Sequence, residues 1–256
     1  MTLGKKHAGK SRASEATNRH PSQWDDLPNG QWLQEAIEEK LAPWWPKVFG
    51  YHLLNMGPLS ATLDKPNLPV GREFSISPQG GQSLNGSYRA LPLQNGVIDA
   101  VVCNLLLDFE PDPYRVLREI DRVLISGGHV FIIGFNPLSP AFLGKLLPKY
   151  QEHLPWCGRF FMPFRVKDWL GLLGYQVIGD ERLVYHHLLC DIENESIWQH
   201  ALQAWLPGSG SVYLLVARKL ESPLTPIADK QLVPKPKWST APTVGRAGQL
   251  GRKINK

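Results

Sequence analysis

Polar residues that could do chemistry follow two apolar runs of this 256-residue chain. Asp108 comes soon after the run "AVVC" (100–103), where a carboxylate could orient an amine or hydroxyl nucleophile or accept its proton. Asn136 directly follows "HVFIIGF" (129–135), and its amide carbonyl could receive an amino group. Both residues also have ordinary alternatives, Asp108 as a loop or helix-start acid and Asn136 as the first residue of an Asn-Pro turn.

A third candidate is the glycine turn after the stretch "YHLLNMG" (51–57), which is short and apolar and predicts a buried strand. Gly57 would let the backbone approach a ligand without a Cβ in the way, and Ser60 keeps some room. Pro58 lacks a backbone donor, and Leu59 brings a large side chain where a small one is expected. The turn keeps the position of a nucleotide-binding loop but little of its glycine content.

The elements that would position these residues alternate between helix and strand. Apolar spacing and breakers predict helices over 31–45, 165–175 and 193–205, and strands over 51–57, 72–77, 96–107, 129–135, 175–186 and 211–219. This alternation is typical of a doubly wound, mostly parallel α/β sheet of Rossmann-like type. Such sheets bind ligands at the carboxyl ends of their strands, which is where the candidate residues fall.

The clearest unit is the helix predicted within "DPYRVLREIDRVLISGG". Asp112 is suited to the N-cap and Pro113 to the first helical position, and we expect Gly127-Gly128 to stop the helix. With a strand on either side, this segment predicts a right-handed βαβ crossover.

Charge divides the chain into a body and two ends. The formal net charge is +5, and the lysines and arginines are concentrated in the first twenty and the last forty residues. We therefore predict an N-terminal tail (1–22), one globular domain (23–219) and a basic C-terminal tail (220–256) rich in Pro, Gly, Lys and Ser. The tails could make weak nucleic-acid contacts, or they could serve only for solubility.

Several function classes are disfavoured by composition. The three cysteines, Cys103, Cys157 and Cys190, are odd in number and far apart, so neither a disulfide framework nor a zinc site is indicated. His186-His187 would point to opposite sides of a strand, which disfavours a shared metal. No apolar run is long enough to span a membrane and no secretory signal is present, so we expect a cytoplasmic protein.

The middle of the chain resembles class I S-adenosylmethionine-dependent methyltransferases of the small-molecule, type 11 group, and in particular a bacterial subgroup of them. The matching motifs, in the family's order along the chain, are Leu91-Pro92-Leu93, Asp99, Asp108-Phe109, Pro111-Asp112-Pro113 and Arg122-Val123-Leu124 before Gly127-Gly128.

This resemblance implies a seven-stranded sheet with an antiparallel last strand and S-adenosyl-L-methionine across the carboxyl ends of its first four strands. It implies transfer of a methyl group to a small-molecule acceptor, which is mainly a problem of orientation. The implied cofactor-binding residues are Met56, Gly57, Ser60, Ser77, Leu91 and Asn104, and the implied catalytic candidates are Asp108 and Asn136.

The sequence departs from the family pattern where the nucleoside would bind. The acid that usually holds the ribose hydroxyls is replaced by Ser77 or Gln79, and the acid expected near the adenine falls at Ser87, beside Tyr88, which could stack on the base. Asn104 could equally be an ordinary interior hydrogen-bonding residue. Three hypotheses therefore stay open. The protein could be a working methyltransferase, and one version of this hypothesis has it capture RNA through its tails. It could also be a protein that binds the cofactor without catalysis, or an interaction protein that has kept only the fold.

Overall fold

The computed structural model describes residues 20–78, 81–185, 188 and 207–220. Within them, seven strands form one sheet in the order β3-β2-β1-β4-β5-β7-β6. The pairs from β3 to β5 are parallel, and β7 runs antiparallel to both β5 and β6. The predicted doubly wound, seven-stranded, mostly parallel sheet is confirmed.

The elements follow one another as the alternation predicts. The strands are β1 (Gly50–Met56), β2 (Val70–Ser77), β3 (Leu84–Asn85), β4 (Ile98–Asn104), β5 (Leu124–Phe135), β6 (Tyr175–Leu183) and β7 (Val212–Lys219). The α-helices are α1 (Gly30–Leu41), α2 (Pro58–Ala61), α3 (Pro113–Val123), α4 (Leu143–Leu146) and α5 (Pro163–Leu172). Short 3₁₀ turns cover Trp24–Asp26, Trp45–Lys47, Leu107–Phe109, Pro140–Phe142 and Pro207–Ser209.

The core lies on both faces of the sheet, because successive side chains of a strand point to opposite sides. Leu53 of β1 belongs to the cluster that includes Leu33 and Ile37 of α1. Its neighbour Leu54 belongs to the opposite cluster, which includes Ile120 of α3. A parallel strand covered on both faces is a continuous apolar run, as the sequence of β4 is.

The βαβ crossover forms as predicted, but its glycine pair lies elsewhere. The carboxylate of Asp112 accepts the backbone N–H of Arg115, 3.1 Å away, and caps α3. However, α3 ends at Val123 and β5 already begins at Leu124. Gly127-Gly128 therefore lies inside β5, where the register with β4 shifts and Gly127 has a φ of +80°. The positive φ of Gly127 is therefore part of a strand irregularity and not of a helix end.

The structure also differs from the sequence prediction at the end of one helix and at one short strand. Helix α1 ends at Leu41, and only a 3₁₀ turn follows, because Pro43 has no N–H with which to continue the helical hydrogen bonds. Strand β3 was not predicted, since two residues give no periodicity. The predicted helix over 193–205 lies outside the described residues, as do residues 1–19 and 221–256 of the predicted tails.

Among the described residues, every helix is too short or too polar to cross a bilayer. The same residues contain no group of three or more His, Cys, Asp or Glu side chains that could hold a metal ion.

Candidate functional site

The candidate site lies at the edge where the parallel strands end. Met56, Ser77 and Asn104 are the last residues of β1, β2 and β4. After β1 the chain moves outward to β2 and β3, and it then returns to the other side of β1 as β4. This reversal between β1 and β4 is the switch point at which open α/β sheets form a ligand crevice.

Three predicted cofactor residues are joined into one buried hydrogen-bond network. Ser60 Oγ donates to the Met56 carbonyl oxygen at 2.6 Å and accepts the backbone N–H of Asn104 at 3.0 Å. The Asn104 amide donates to the Leu59 carbonyl oxygen at 3.3 Å. These groups tie α2 to the end of β4. Ser60 and Asn104 therefore fix the geometry of the turn at Gly57 that joins β1 to α2, which we call the first loop.

Gly57 makes the turn between β1 and α2 with a positive φ. It lies between β1 and α2 with a φ of +84°, which favours glycine, and its N–H donates to the Ile76 carbonyl oxygen of β2. The bulky Leu59 does not face this loop's ligand side, because it is buried in the core cluster that contains Leu33. The large Leu59 side chain is therefore accommodated in the core and not in the ligand space.

Tyr88 and Leu106, rather than Leu59, take the space beside Gly57. A Cβ built on Gly57 would lie 3.5 Å from Leu106 Cδ1 and 3.6 Å from Tyr88 Oη. Both distances are ordinary van der Waals contacts, so the two side chains lie beside the glycine and still leave room for a Cβ. Tyr88 and Leu106 are 2% and 3% exposed.

The hydroxyl of Tyr88 shares a hydrogen bond with Ser77, the predicted ribose-contacting residue at the end of β2. Burial raises the pKa of Tyr88 to about 12. One aromatic side chain therefore reaches both Gly57 and Ser77, two positions that the family uses for its nucleoside.

A small cluster of side chains lies beside the Tyr88 ring. The ring of His20 lies edge-on to Tyr88 with centroids 5.7 Å apart, and it is 6.2 Å from the ring of Phe109. His20 Nε2 is 3.3 Å from Glu110 Oε1, and Arg89 Nε is 3.6 Å from Glu110 Oε2. The cluster links the start of the described chain to the segment that follows β4.

S-Adenosylmethionine requires an open space beside the first loop and hydrogen-bonding groups at the end of β2. Here the backbone at Gly57 is suitable, but the buried Tyr88 side chain lies beside it and engages Ser77. The loop backbone therefore fits the cofactor, whereas the Tyr88–Ser77 pair as placed does not.

Leu91, another predicted cofactor residue, is held by α3. Its N–H donates to Glu119 Oε2 at 3.0 Å, and its carbonyl oxygen accepts from Arg122 Nη2 at 2.9 Å. Arg122 also donates to the carbonyl oxygen of Leu93. The arginine of the family's motif therefore fixes the turn that leads into β4.

Asp108 lies just past β4, and the residue is 1% exposed. Its Oδ2 accepts the N–H of Phe135 at 3.0 Å. Burial raises the pKa of Asp108 to about 7, although backbone hydrogen bonds and the charge of Lys145 oppose that rise. A carboxyl group with such a pKa can exchange a proton near neutral pH, as a general base must.

Asn136, the other catalytic candidate, follows β5 directly and is 1% exposed. Its amide nitrogen donates to the carbonyl oxygens of Gly208 and Gly210, both at 2.9 Å, and its Oδ1 accepts the N–H of Leu138. The structure therefore brings Asn136 near Asp108 through Phe135, with its amide groups engaged in the connection to β7.

Sequence reasoning missed Leu106 beside Gly57 and the contacts of His20 with Tyr88 and Glu110. The available signal for Tyr88 was its type and position. It is a large aromatic residue directly after Ser87, the position at which the family's adenine-binding acid is expected. The contribution of His20 had no signal, because its contacts join residues far apart in sequence.

Comparison with known proteins agrees with this fold. A family model described as a methyltransferase domain matches residues 62–132. "Uncharacterized protein YafS" of Escherichia coli (strain K12) is 36% identical over 218 residues, which are 85% of this chain and 88% of YafS. The chain belongs to the same family as YafS, and its fold is that of class I methyltransferases.

Relatives with a named activity match a shorter stretch. The "Ubiquinone biosynthesis O-methyltransferase" of Xanthomonas axonopodis pv. citri (strain 306) is 30% identical over 101 residues, 36% of this chain and 41% of that enzyme. The crystal structure of a SAM-dependent methyltransferase from Archaeoglobus fulgidus superposes with a TM-score of 0.52 at 15% identity, covering 73% of this chain and 94% of the other. The structural likeness shows the shared fold.

Proposed function

We propose that this protein is an S-adenosyl-L-methionine-dependent methyltransferase that acts on a small or medium-sized acceptor. The observation that carries the proposal is the glycine at positive φ, Gly57, placed at the switch point of a sheet with the family's strand order. The methyltransferase relatives give independent support.

Asp108 is the acceptor-side group in this proposal. It lies at the carboxyl edge of the sheet beyond β4, and a pKa of about 7 suits a group that accepts a proton from an amine or hydroxyl. Asn136 supports the same edge through its bonds to Gly208 and Gly210. The proposal assigns it to shaping the acceptor side of the site.

A second candidate function is a non-catalytic protein that kept the family's fold. Tyr88 at the nucleoside position and the neutral Ser77 in place of the ribose acid favour it. A carboxylate accepts hydrogen bonds that are roughly twice as strong as those of a neutral group, so its loss weakens cofactor binding.

Isothermal titration calorimetry of the full chain with S-adenosylmethionine and S-adenosylhomocysteine tests the proposal. We expect saturable heat with both ligands and a rise in melting temperature, because a ligand that binds only the folded state stabilises it. Absence of heat and of a thermal shift at millimolar ligand would favour the non-catalytic candidate.

A further inference from the structure

Four leucine side chains of the segment that follows β5 face solvent. Leu138, Leu143, Leu146 and Leu147 lie close together in sequence and are between 45% and 66% exposed. We call these four side chains the leucine surface. A group of exposed apolar side chains on a folded domain marks a place where another surface docks.

Packing holds this segment in place, so its leucines are not exposed by fraying. The Trp156 indole lies directly against Gly144, where an added Cβ would collide with it. The indole Nε1 donates to the Ala141 carbonyl oxygen at 2.8 Å, and Ser139 Oγ donates to the Asn136 carbonyl oxygen at 2.6 Å. The small residues of the segment therefore face the core, and the large ones face solvent.

The leucine surface lies near the edge of the sheet that carries the candidate site. The segment leaves β5 at Phe135, whose N–H donates to Asp108. The Phe160 ring stacks on Phe135 with centroids 5.1 Å apart, and the Phe142 ring is 6.3 Å from Phe160. Because Phe142 directly precedes Leu143, a row of aromatic rings connects the leucine surface with the edge that holds Asp108.

The charged residues of the segment are both cationic. Residues 136–151 contain Lys145 and Lys149 and no acid. Lys145 is half-buried, so Lys149 is the exposed cation, and it lines a groove with Asp25 and Asp26. Since these two acids lie near Lys149, we expect the leucines to contribute more to docking than the charge does.

The composition of the segment favours lipid over protein as the docked surface. Leucine with lysine is typical of surfaces that insert into the interface of an anionic bilayer. Protein–protein interfaces are enriched in Tyr, Trp and Arg, and leucine is under-represented among the residues that carry their binding energy. Residues 137–149 contain no Tyr, Trp or Arg.

We propose that the leucine surface docks on an anionic lipid bilayer, with the four leucine side chains inserted among the acyl chains and Lys149 at the level of the phosphates. Docking brings the Asp108 edge close to the bilayer. For the proposed methyl transfer this favours an acceptor that resides in a membrane. That consequence rests on the proposed function, whereas the docking itself does not.

Co-sedimentation of the full chain with phosphatidylcholine vesicles that contain phosphatidylglycerol tests the docking. We expect the unmodified chain to bind, and Leu143→Ser/Leu146→Ser to lower the partition coefficient about tenfold or more, because two inserted apolar side chains are lost. Both replaced leucines are exposed, so the variant should fold, and thermal melting checks this.

Leu172→Ser/Leu220→Ser is the matched control. Both of these leucines are exposed, and they lie at the opposite edge of the sheet, where α5 and β7 end. This variant should bind vesicles as the unmodified chain does. The lysines and arginines are the same in all three proteins, so a difference between them reports the leucines and not the charge of the chain ends.

Each outcome decides the proposal. Equal binding by Leu143→Ser/Leu146→Ser and the unmodified chain, or no binding by the unmodified chain, would overturn the docking. A dimer in analytical ultracentrifugation that this variant abolishes, without vesicle binding, would assign the surface to a second copy of the chain instead. Vesicle binding that depends on the leucines, in a chain that does not bind S-adenosylmethionine, would leave the docking standing and overturn the proposed function.

Discussion

At the scale of single residues, the burial of Asp108 has a measurable effect on stability. Its pKa is raised from 3.8 to about 7 in the folded state by burial. Between these values the folded chain binds more protons at this residue than the unfolded chain does. The free energy of unfolding therefore falls as pH rises from about 4 to about 7.

Asp108→Asn should remove this dependence. The asparagine amide can still accept the N–H of Phe135 but cannot ionise. We expect the variant to be the more stable protein at pH 8, by on the order of 4 kcal/mol at most, as measured by urea denaturation at pH 5 and pH 8. Asp168→Asn on the exposed side of α5 is the control. Parallel pH profiles for Asp108→Asn and the unmodified chain would contradict the burial argument.

Residue types alone predicted where the candidate groups lie along the chain, but not what they touch. The Asn136 amide bonds carbonyl oxygens 72 and 74 residues further on, and no local pattern contains that pairing. Leu59 was expected to project into the ligand space. Its side chain instead packs in the core cluster that contains Leu33 of α1. Tyr88 is the converse case, because its burial depends on Gly57, Ser77 and His20 together.

At the scale of elements, one buried hydroxyl joins α2 to both β1 and β4. Ser60 is fully buried and its Oγ both donates to Met56 and accepts from Asn104. A buried polar group that loses its partner incurs a desolvation cost.

Ser60→Ala should lower the free energy of unfolding by about 1–3 kcal/mol, since the Asn104 N–H and Met56 carbonyl would be left without this partner. Urea denaturation measures the loss. Ser83→Ala, at an exposed serine after β2, should change stability by less than about 0.5 kcal/mol. A loss at Ser60 no larger than that at Ser83 would show that water replaces the hydroxyl without cost.

The elements that the sequence predicted well are those with strong local signals. The Asp112 cap and Pro113 located the start of α3, and continuous apolar runs located β4 and β5. The two-residue strand β3 and the irregularity at Gly127 follow from pairing with neighbouring strands, so the sequence alone did not contain them.

At the scale of the whole molecule, charge separates the domain from the C-terminal segment. The weak nucleic-acid contact predicted for the two tails, 1–22 and 220–256, stays a prediction. It implies that RNA affinity of the full chain falls steeply between about 50 mM and about 200 mM salt. Removing residues 221–256 should weaken that affinity and leave the melting temperature unchanged.

Fluorescence polarisation with a labelled single-stranded RNA measures the first effect, and differential scanning calorimetry measures the second. Binding that persists at high salt would argue against an electrostatic contact. A large drop in melting temperature on deletion would show instead that the segment packs on the domain.

The position of β7 sets the order in which the sheet can be completed. Val212–Lys219 is inserted between β5 and β6, although both of those strands are synthesised earlier. Until the ribosome has released residue 219, the apolar edge of β5 and all of β6 lack their pairing partner, and unpaired strand edges promote aggregation. A nascent or prematurely terminated chain that stops before Val212 should therefore require a chaperone, whatever the stability of the finished protein.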